Sequence, residues 1–415
     1  MKVLWITNVE LPDIAEYFGR EMVICGWLKQ MAIQIADTSD IELYIGCRQD
    51  RNEFHDIQIR KIHYFSFNSY HGKNDLIKIF DAVQPELIHI WGTEYKHTYE
   101  AMLVAQQKGL LDRTVISIQG LVSVCCMHYA TGLPEKIISH RTLVEFLGRG
   151  IYFNLADDRR YMQKRGITEV SALRMAKSCI GRTDWDHACV KQINPDIKYY
   201  MCNETLRDSF YHKEWKPEEC RKHSIFFSQA HYPIKGFHFM IEALPAIRKV
   251  FPDVRVYVLG EDIFHPVGIK NKIKKRSYQQ YLCKKIKRYG LQDCIQWMGQ
   301  LSEEQMAEQY YLANVYVCAS TIENSSNSIG EAMLTGVPVV ASDVGGVKSL
   351  LQHDKEGLIY QETAPYMLAD CVIRIFSDDG LAVRLGENAR LRARVTHDRE
   401  HNLKTLLGIY KEISK

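Results

Sequence analysis

Apolar, β-rich segments alternate with helix-like segments along this chain, and the alternation begins afresh near residue 223. The β-rich segments lie at 2–7, 41–46, 87–92, 114–120 and 178–183, and then at 223–230, 254–261, 294–299, 314–320 and 338–343. Helical patterns, such as those at about 19–36 and 141–164, lie between them. Buried strands that alternate with helices form parallel sheets with helices on both faces. The pattern therefore predicts two doubly wound α/β domains.

The length of the chain supports the same division. With 415 residues it exceeds one ordinary core and suggests two domains of roughly 200 residues each. A charged segment at 211–222 contains a proline and lacks apolar periodicity, so we place the boundary between domains 1–210 and 211–398 there. The amphipathic segment 399–415 predicts a final helix. Because ligands bind at the carboxyl ends of parallel strands, we expect a site in the cleft between the domains.

Composition excludes several other classes of protein. A net charge of +3 gives no overall field that would favour nucleic acid. The twelve cysteines are scattered through apolar segments without a Cys-x2-Cys pair, which favours buried, reduced thiols over disulfides or zinc ligands. The chain opens as a strand rather than a signal peptide, and no apolar run approaches the ~20 residues of a membrane span. We therefore expect a cytoplasmic protein.

The segment at 320–346 carries two carboxylates, Glu323 and Glu331, at a strand-to-helix junction. A helix is expected to begin near Asn327, between two apolar strands. Its amino end offers unpaired backbone N–H groups and a positive dipole end, which suit phosphate oxygens. Glu331 stands about one turn inside that helix, where a carboxylate can accept hydrogen bonds from two neighbouring hydroxyls, such as those of a ribose. The segment predicts a site for an anionic ligand rich in hydroxyls.

Together with AMLTGVPVVASDVGG at 332–346, this segment resembles the donor-site signature of the retaining glycosyltransferases of family 4. That family has the GT-B architecture, in which two Rossmann-like domains face a cleft. Segment 399–415 resembles the terminal helix that crosses back onto the N-terminal domain in GT-B enzymes, which implies that it joins domain 1–210. The resemblance extends over most of the chain, and GRTDWDHACV, CNETLR and SQAHYPIKG are similar to segments of bacterial capsule and exopolysaccharide members. It implies transfer of a sugar from a nucleoside-diphosphate sugar to a saccharide acceptor, lipid-linked or polysaccharide, with no cofactor.

In the second domain the resemblance assigns the donor-binding residues. Glu331 would hold the ribose, and Glu323 would hydrogen-bond the donor sugar and stabilise the positive charge that develops on it. The acceptor would attack from the side of the leaving group, whose diphosphate takes the proton. Lys235, which follows a strand and precedes a helix, would bind the diphosphate, but the usual partner arginine is replaced by Ala230. Further donor contacts would come from the loop and from the segment after 294–299, namely Asn324, Ser325, Ser326, Asn327, Ser328 and Leu301.

The first domain would complete the site. Gly26, at the start of the first helix, would let the diphosphate approach the backbone. Gln119 stands where family members often have a histidine near the reacting sugar; it can position a hydroxyl but cannot act as a base. His128 is the substitute candidate for that chemistry, and packing is its alternative role. Gly92, Thr93 and Glu94, which follow a strand, would hold the acceptor, unless they simply end that strand.

Two charged motifs invite other interpretations. Asp184 and Asp186 have the spacing of a metal-binding Asp-x-Asp, but they follow Thr183 at a helix start, so capping explains them better and we expect no metal site. The basic segment 270–290 lacks the aromatic pattern of nucleic-acid binding and favours a solvated helix that touches an anionic bilayer surface at the inner membrane face. Liposome flotation that is independent of anionic lipid would contradict that contact.

Alternatives to a glycosyltransferase remain open on the sequence. A non-catalytic subunit that binds a nucleotide sugar is compatible with the missing arginine and histidine. A GT-B epimerase or phosphorylase is disfavoured by the pair of glutamates. A redox Rossmann protein is disfavoured because no Gly-x-Gly-x-x-Gly turn follows the first strand. The sequence indicates neither the donor's base and sugar nor the acceptor or the oligomeric state.

Overall fold

The structure is a computed structural model that describes residues 1–19, 26–49, 54–68, 72–147, 153–265 and 276–415. It divides into two compact units. The first consists of Met1–Val124, Gln163–Arg207 and Thr396–Lys415, and the second of Cys125–Met162 and Asp208–Val395.

Each unit contains one sheet within the described residues. The first sheet has the strand order β3-β4-β2-β1-β5-β6-β7-β8, and its strands are β1 (Lys2–Thr7), β2 (Glu42–Gln49), β3 (Asp56–Ile59), β4 (Ile62–Asn68), β5 (Leu87–Trp91), β6 (Thr114–Ser117), β7 (Ser178–Gly181) and β8 (Lys198–Met201). The second has the order β11-β10-β9-β12-β13-β14, and its strands are β9 (Ser224–Phe227), β10 (Arg255–Val258), β11 (Ile295–Trp297), β12 (Val315–Cys318), β13 (Val339–Ser342) and β14 (Leu358–Tyr360). The pairing is parallel except between β3 and β4.

Helices connect the strands in both units. Up to residue 193 they are α1 (Pro12–Tyr17), α2 (Gly26–Thr38), α3 (Gly72–Val83), α4 (Lys96–Gln107), α5 (Val122–His128), α6 (Glu135–Ile138), α7 (Leu143–Leu147), α8 (Leu155–Met175) and α9 (Asp184–Ile193). Beyond it they are α10 (Phe237–Val250), α11 (Ser277–Arg288), α12 (Glu303–Leu312), α13 (Asn327–Thr335), α14 (Val347–Leu350), α15 (Pro365–Ser377), α16 (Asp379–Thr396) and α17 (Arg399–Ile413). The predicted helix 19–36 corresponds to α2, and residues 20–25 lie outside the described part.

The core of the first unit lies on both faces of its sheet. Alternate residues of β1 enter different hydrophobic clusters, Leu4 and Ile6 one, Val3 and Trp5 the other. A parallel strand buried on both faces shows this continuous apolar run, which is why the strand could be found from sequence. The strands β3, β4, β8 and β14 were not predicted, although β4 has seven residues that are mostly buried.

The final helix α17 belongs to the first unit. Its Tyr410 is fully buried, and the hydroxyl accepts a hydrogen bond from Trp5 Nε1 at 2.8 Å. The same hydroxyl lies 2.6 Å from Nδ1 of His89, whose Nε2 lies 2.7 Å from the Ser117 hydroxyl. Burial holds the pKa of His89 well below its ordinary value, so the imidazole is neutral. Buried hydrogen bonds therefore connect Trp5, Tyr410, His89 and Ser117 in one chain.

Residues 125–162 differ from the sequence-based division, which assigned all of 1–210 to the first domain. The structure groups them with the second unit. Three polar contacts attach them there: Thr321 Oγ1 donates to His128 O at 2.8 Å, His238 Nε2 donates to Thr131 O at 3.0 Å, and Ser277 N donates to Glu145 Oε1 at 3.0 Å. These partners are more than 100 residues apart in the chain, so a local pattern does not report them.

Candidate functional site

The second unit brings Lys235 and Glu323 together. Lys235 Nζ donates to Glu323 Oε1 at 2.6 Å, and the two side chains are 28% and 11% exposed. Burial is the largest single effect on Lys235 and opposes its charge, but the Glu323 carboxylate together with the neighbouring Cys318 and Cys125 outweighs it, so the pKa of the ammonium is raised above its ordinary value. The ammonium is therefore charged at neutral pH, and it lies against the Glu323 carboxylate inside a pocket at the carboxyl ends of β9 and β12.

Two serines fix the loop that carries Glu323. Ser320 Oγ donates to Glu323 Oε1 at 2.7 Å, and Ser342 Oγ donates to the carbonyl of Ser320 at 2.5 Å. Both serines are almost fully buried. Because Ser342 ends β13 while Ser320 follows β12, the pair ties the ends of two neighbouring strands together. The sequence analysis missed these two positioning residues, although Ser320 stands three residues before Glu323.

A glycine turn after β13 supports the same loop from the other side. Gly346 N donates to Glu323 O at 2.9 Å. Gly345 has φ +50°, and a Cβ at that position would lie 1.9 Å from the carbonyl oxygen of Glu323. A side chain there would push the loop away, so the backbone of Glu323 is held where a glycine permits close approach.

Lys235 reaches its position through a short turn. Residues Pro233–Lys235 form a 3₁₀ turn, and Gly236 follows with φ +68° as the residue that precedes α10. A Cβ on Gly236 would lie 1.8 Å from the carbonyl oxygen of Ala319. The turn after β9 therefore packs directly on the backbone that leads to Glu323, which brings the lysine to the carboxylate.

Helix α13 begins at Asn327, as predicted. Its N-cap is Ser326, whose side chain makes no capping hydrogen bond. Asn324, Ser325 and Ser326 are each less than 10% exposed, and Ser326 and Ser328 line the pocket with Lys235. The first N–H groups of a helix have no intrahelical acceptor, so they are available to an anion beside the lysine.

Glu331 lies one turn inside α13 and is 5% exposed. The hydroxyl of Tyr310 lies 3.5 Å from Glu331 Oε2 and donates to the carbonyl of Ser328 at 3.2 Å. Tyr310 is fully buried and thus joins Glu331 to the first turn of the helix. The carboxylate is held rigidly, which suits a binding role.

The position of the expected arginine holds nothing polar. Ala230 is 1% exposed, and among the described residues lining the pocket Lys235 is the one with a cationic side chain. His231 packs nearby: a Cβ on Gly260 would lie 1.8 Å from its Nε2. Burial lowers the pKa of His231, so it supplies no charge at neutral pH. Gly260 pairs with Gly299, two residues before the half-buried Leu301.

His128 lies in the same unit as Glu323. It ends α5, and its carbonyl accepts from Thr321, two residues before Glu323. Burial raises the pKa of the nearby Glu362 above its ordinary value, and the electrostatic interaction with His128 offsets part of that rise. The structure thus brings His128 to the loop of Glu323, while its chemical role stays a prediction.

Gln119 has a different setting in the first unit. Its Nε2 donates to Glu204 Oε1 at 2.5 Å, and Glu204 Oε2 forms a buried ion pair with Arg182 Nη1 at 2.6 Å. Arg182 also donates to the carbonyl of Gln119 at 3.3 Å. These residues line a pocket with Trp91 at the carboxyl ends of β5, β6 and β7. Arg182 and Glu204 belong to segments GRT and CNET, but no spacing rule identified them as partners.

The structure gives different surroundings to the three residues predicted to bind the acceptor, Gly92, Thr93 and Glu94. Thr93 is 1% exposed, and its hydroxyl lies 2.6 Å from Glu169 Oε1 and 2.7 Å from the carbonyl of Gly120, so it fixes the loop and is not available to an acceptor. Gly92 has φ +83°, and a Cβ added to it would lie only 2.7 Å from Glu94 Oε2, so the glycine lets the Glu94 side chain lie against the backbone. Burial raises the pKa of Glu94 to about 7. Glu94 therefore remains the acceptor candidate.

Gly26 is the first residue of α2, in the first unit, and its neighbours 20–25 lie outside the described residues. The predicted approach of the diphosphate to Gly26 therefore stays a prediction.

Asp186 is a capping residue, as the sequence predicted. Thr183 and Asp186 form a reciprocal capping box at the start of α9, and Asp186 is fully buried. Within the described ranges no group of three or more His, Cys, Asp or Glu side chains could hold a metal ion. The cysteines of that part of the chain are free thiols and mostly buried.

The basic segment is described from residue 276 onwards. Helix α11 buries one face, with Tyr278, Leu282 and Ile286, and exposes Lys284, Lys287 and Arg288. Contact of that exposed face with a membrane remains a prediction. Of the helices in the described part, none is long and apolar enough to cross a membrane.

Comparison with known proteins gives a partial match in sequence. Residues 211–392 match the family model for glycosyl transferases group 1. The chain is 25% identical over 182 residues to a D-inositol 3-phosphate glycosyltransferase of Corynebacterium urealyticum, covering 43% of this chain and 41% of that protein. It is 23% identical over 217 residues to spore coat protein SA of Bacillus subtilis, covering 49% and 55%. The chain thus spans about half the length of these curated relatives.

Comparison with solved structures extends over both units. Sucrose-phosphate synthase of Thermosynechococcus elongatus aligns with a TM-score of 0.70 and 16% identity, over 100% of this chain and 99% of that one. HepE of Anabaena, solved with UDP and glucose, aligns with a TM-score of 0.68 and 17% identity, over 99% and 100%. The predicted fold, two Rossmann-like domains of the GT-B class, is thereby confirmed, and residues 211–392 are similar to the group 1 glycosyl transferases.

Proposed function

We propose that this protein is a retaining glycosyltransferase that moves a sugar from a nucleoside-diphosphate sugar to a saccharide acceptor, lipid-linked or polysaccharide. The observation that carries the proposal is the Lys235–Glu323 pair, 2.6 Å apart, in a pocket that also contains Ser326 and Ser328 at the start of α13. A cation and a helix amino end suit the diphosphate, and a carboxylate suits the sugar. Support comes from the match of residues 211–392 and from HepE, which was solved with UDP-glucose.

Each residue has a role set by the charges of the reaction. Breaking the bond between sugar and diphosphate leaves negative charge on the diphosphate, which Lys235 and the N–H groups of α13 stabilise. The sugar becomes positive, and we assign Glu323 the role of stabilising that charge. The acceptor enters on the face of the leaving group, and the departing diphosphate oxygen takes its proton. Glu331 binds the ribose, and Glu94 of the first unit binds an acceptor hydroxyl.

A panel of nucleoside diphosphates and their sugars tests the proposal. Thermal shift with UDP, GDP, ADP and the corresponding nucleotide sugars should single out one base, because a ligand at ~100 times its dissociation constant adds about 2.7 kcal/mol of stability. Transfer to an acceptor should then give a product with the anomeric configuration of the donor, as read by NMR. Absence of any shift would contradict the proposal. Tight binding without hydrolysis or transfer would indicate a non-catalytic binding subunit.

Metal independence is a separate prediction. Because Lys235 and the helix amino end neutralise the diphosphate, we expect the transfer rate in excess EDTA to equal the rate without it. The melting temperature in EDTA is the control for structural damage. A rate that falls in EDTA and returns with magnesium, at an unchanged melting temperature, would refute the prediction.

A further inference from the structure

Glu323 is the ion-pair partner of Lys235 in the structure. The two groups lie 2.6 Å apart, and the other described residues that line the pocket are neutral. With Ala230 at the position of the expected arginine, the pocket has no excess positive charge while this pair is closed. A diphosphate that enters therefore competes with Glu323 for Lys235.

We propose that Lys235 exchanges partners in each reaction cycle, and the inference rests on the proposed function. Lys235 is the counter-ion of Glu323 before the nucleotide sugar binds, moves to the diphosphate when it binds, and returns to Glu323 as the product diphosphate leaves. The long, flexible lysine stem permits this movement. Ser320 keeps its bond to Glu323 Oε1 throughout, so the carboxylate itself stays in place.

The exchange of partners makes the donor nucleotide sugar and the product nucleoside diphosphate differ in how tightly they bind. A half-buried carboxylate that loses its cation needs replacement hydrogen bonds. The donor's sugar hydroxyls supply them, so the nucleotide sugar compensates Glu323 for the loss of Lys235. The product diphosphate has no sugar, and Glu323 therefore competes with it for the lysine. Glu323 thus weakens product binding and speeds product release, in addition to its role toward the sugar.

Calorimetry with UDP, GDP and ADP on Glu323→Gln tests the exchange. Glutamine keeps the shape but cannot hold Lys235 as an ion pair, so the bare diphosphate that binds should bind about tenfold tighter than to the wild type, a typical effect of a close charge. In a Lys235→Met background the same change should give no gain, which completes a double-mutant cycle. Asp293→Asn is the matched control, because Arg248 and Asp293 form an ion pair of the same 2.6 Å length in this unit.

Each outcome decides between the two proposals. Unchanged or weaker diphosphate binding by Glu323→Gln would overturn the exchange, as would an equal gain in the Lys235→Met background, which would mean direct repulsion by Glu323. If none of the three diphosphates binds the wild type, both the exchange and the proposed function fail. Melting curves of all variants confirm that they are folded before the affinities are compared.

Discussion

At the scale of residues, Glu323 and Glu331 are close in sequence but have different surroundings. Glu323 lies in the loop after β12, hydrogen-bonded by Ser320 and paired with a lysine that has a flexible stem. Glu331 lies inside α13, 5% exposed, with Tyr310 beside it. A carboxylate whose cation can leave suits a changing charge on the sugar. A carboxylate held in a helix suits constant hydrogen bonds to the donor.

Alanine substitutions should separate these two roles. Glu331→Ala should raise the dissociation constant of the nucleotide sugar roughly tenfold or more, since hydrogen bonds to charged groups contribute about 1.5–3 kcal/mol, with kcat little changed. Glu323→Ala should lower kcat by about 10²-fold, as loss of electrostatic stabilisation does. The donor affinity of the Glu323→Ala variant should change less, because freeing Lys235 offsets the lost sugar contact.

Calorimetry measures the donor affinity of both variants, and initial rates measure their kcat. Glu387→Ala, on the exposed face of α16, is the control. Equal losses of donor affinity would contradict the division.

At the scale of elements, the site depends on how the turn after β9 meets the loop after β12. Gly236 and Ala319 approach so closely that a Cβ on the glycine would lie 1.8 Å from a carbonyl oxygen. Thr321 N also donates to Ile234 O at 2.8 Å, so a backbone hydrogen bond joins the two connections two residues before Gly236. Packing of one backbone on another thus sets the distance between Lys235 and Glu323.

Gly236→Ala should destabilise the protein more than an alanine at another glycine of similar φ. Gly290 has φ +63° with nothing within 4 Å of a Cβ, so Gly290→Ala should cost about 1–2 kcal/mol from backbone strain. Gly236→Ala adds a backbone clash and should cost about 1–3 kcal/mol more. Urea denaturation measures the difference, and nucleotide affinity should fall in the Gly236 variant alone. Equal costs at the two sites would show that the close approach is absent in solution.

At the scale of the whole molecule, both ends of the chain meet in the first unit. Trp5 of β1 and Tyr410 of α17 are joined by a buried hydrogen bond, and His89 of β5 shares the same hydroxyl. The second unit has its own sheet and takes residues 125–162 from the first half of the sequence. The two units therefore have separate cores, and damage to one core should be measurable separately.

Tyr410→Phe should destabilise the first unit selectively. Removing the hydroxyl leaves Trp5 Nε1 and His89 Nδ1 buried without this partner, which should cost about 2–6 kcal/mol, at about 1–3 kcal/mol for each of the two groups. Hydrogen exchange should speed up in β1, β5 and α17 and stay unchanged in β9 to β14. Tyr366→Phe, at a side chain that is 71% exposed, should have no effect and is the control. Uniformly faster exchange in both units would contradict separate cores.

The parts that could be predicted from the sequence are local. The strand at 2–7 was found because a strand buried on both faces is a continuous apolar run, and the start of α13 was found from the polar residues that precede it. The capping role of Asp186 follows from its spacing to Thr183. Strand β3 has four residues and an exposed face, which leaves too weak a pattern to recognise. Strand β4 was missed although most of its seven residues are buried.

The sequence also contained the functional groups of the candidate site. These are two carboxylates around a polar loop and one lysine, with no arginine at residue 230. Their arrangement was not, because it depends on contacts between distant segments. Lys235 meets Glu323 across 88 residues, and Gln119 meets Glu204 across 85. Thr93 became a loop-fixing residue for the same reason, since Glu169 reaches it from α8. Periodicity encodes which residues end a strand, but packing of strands and helices decides which of those residues touch.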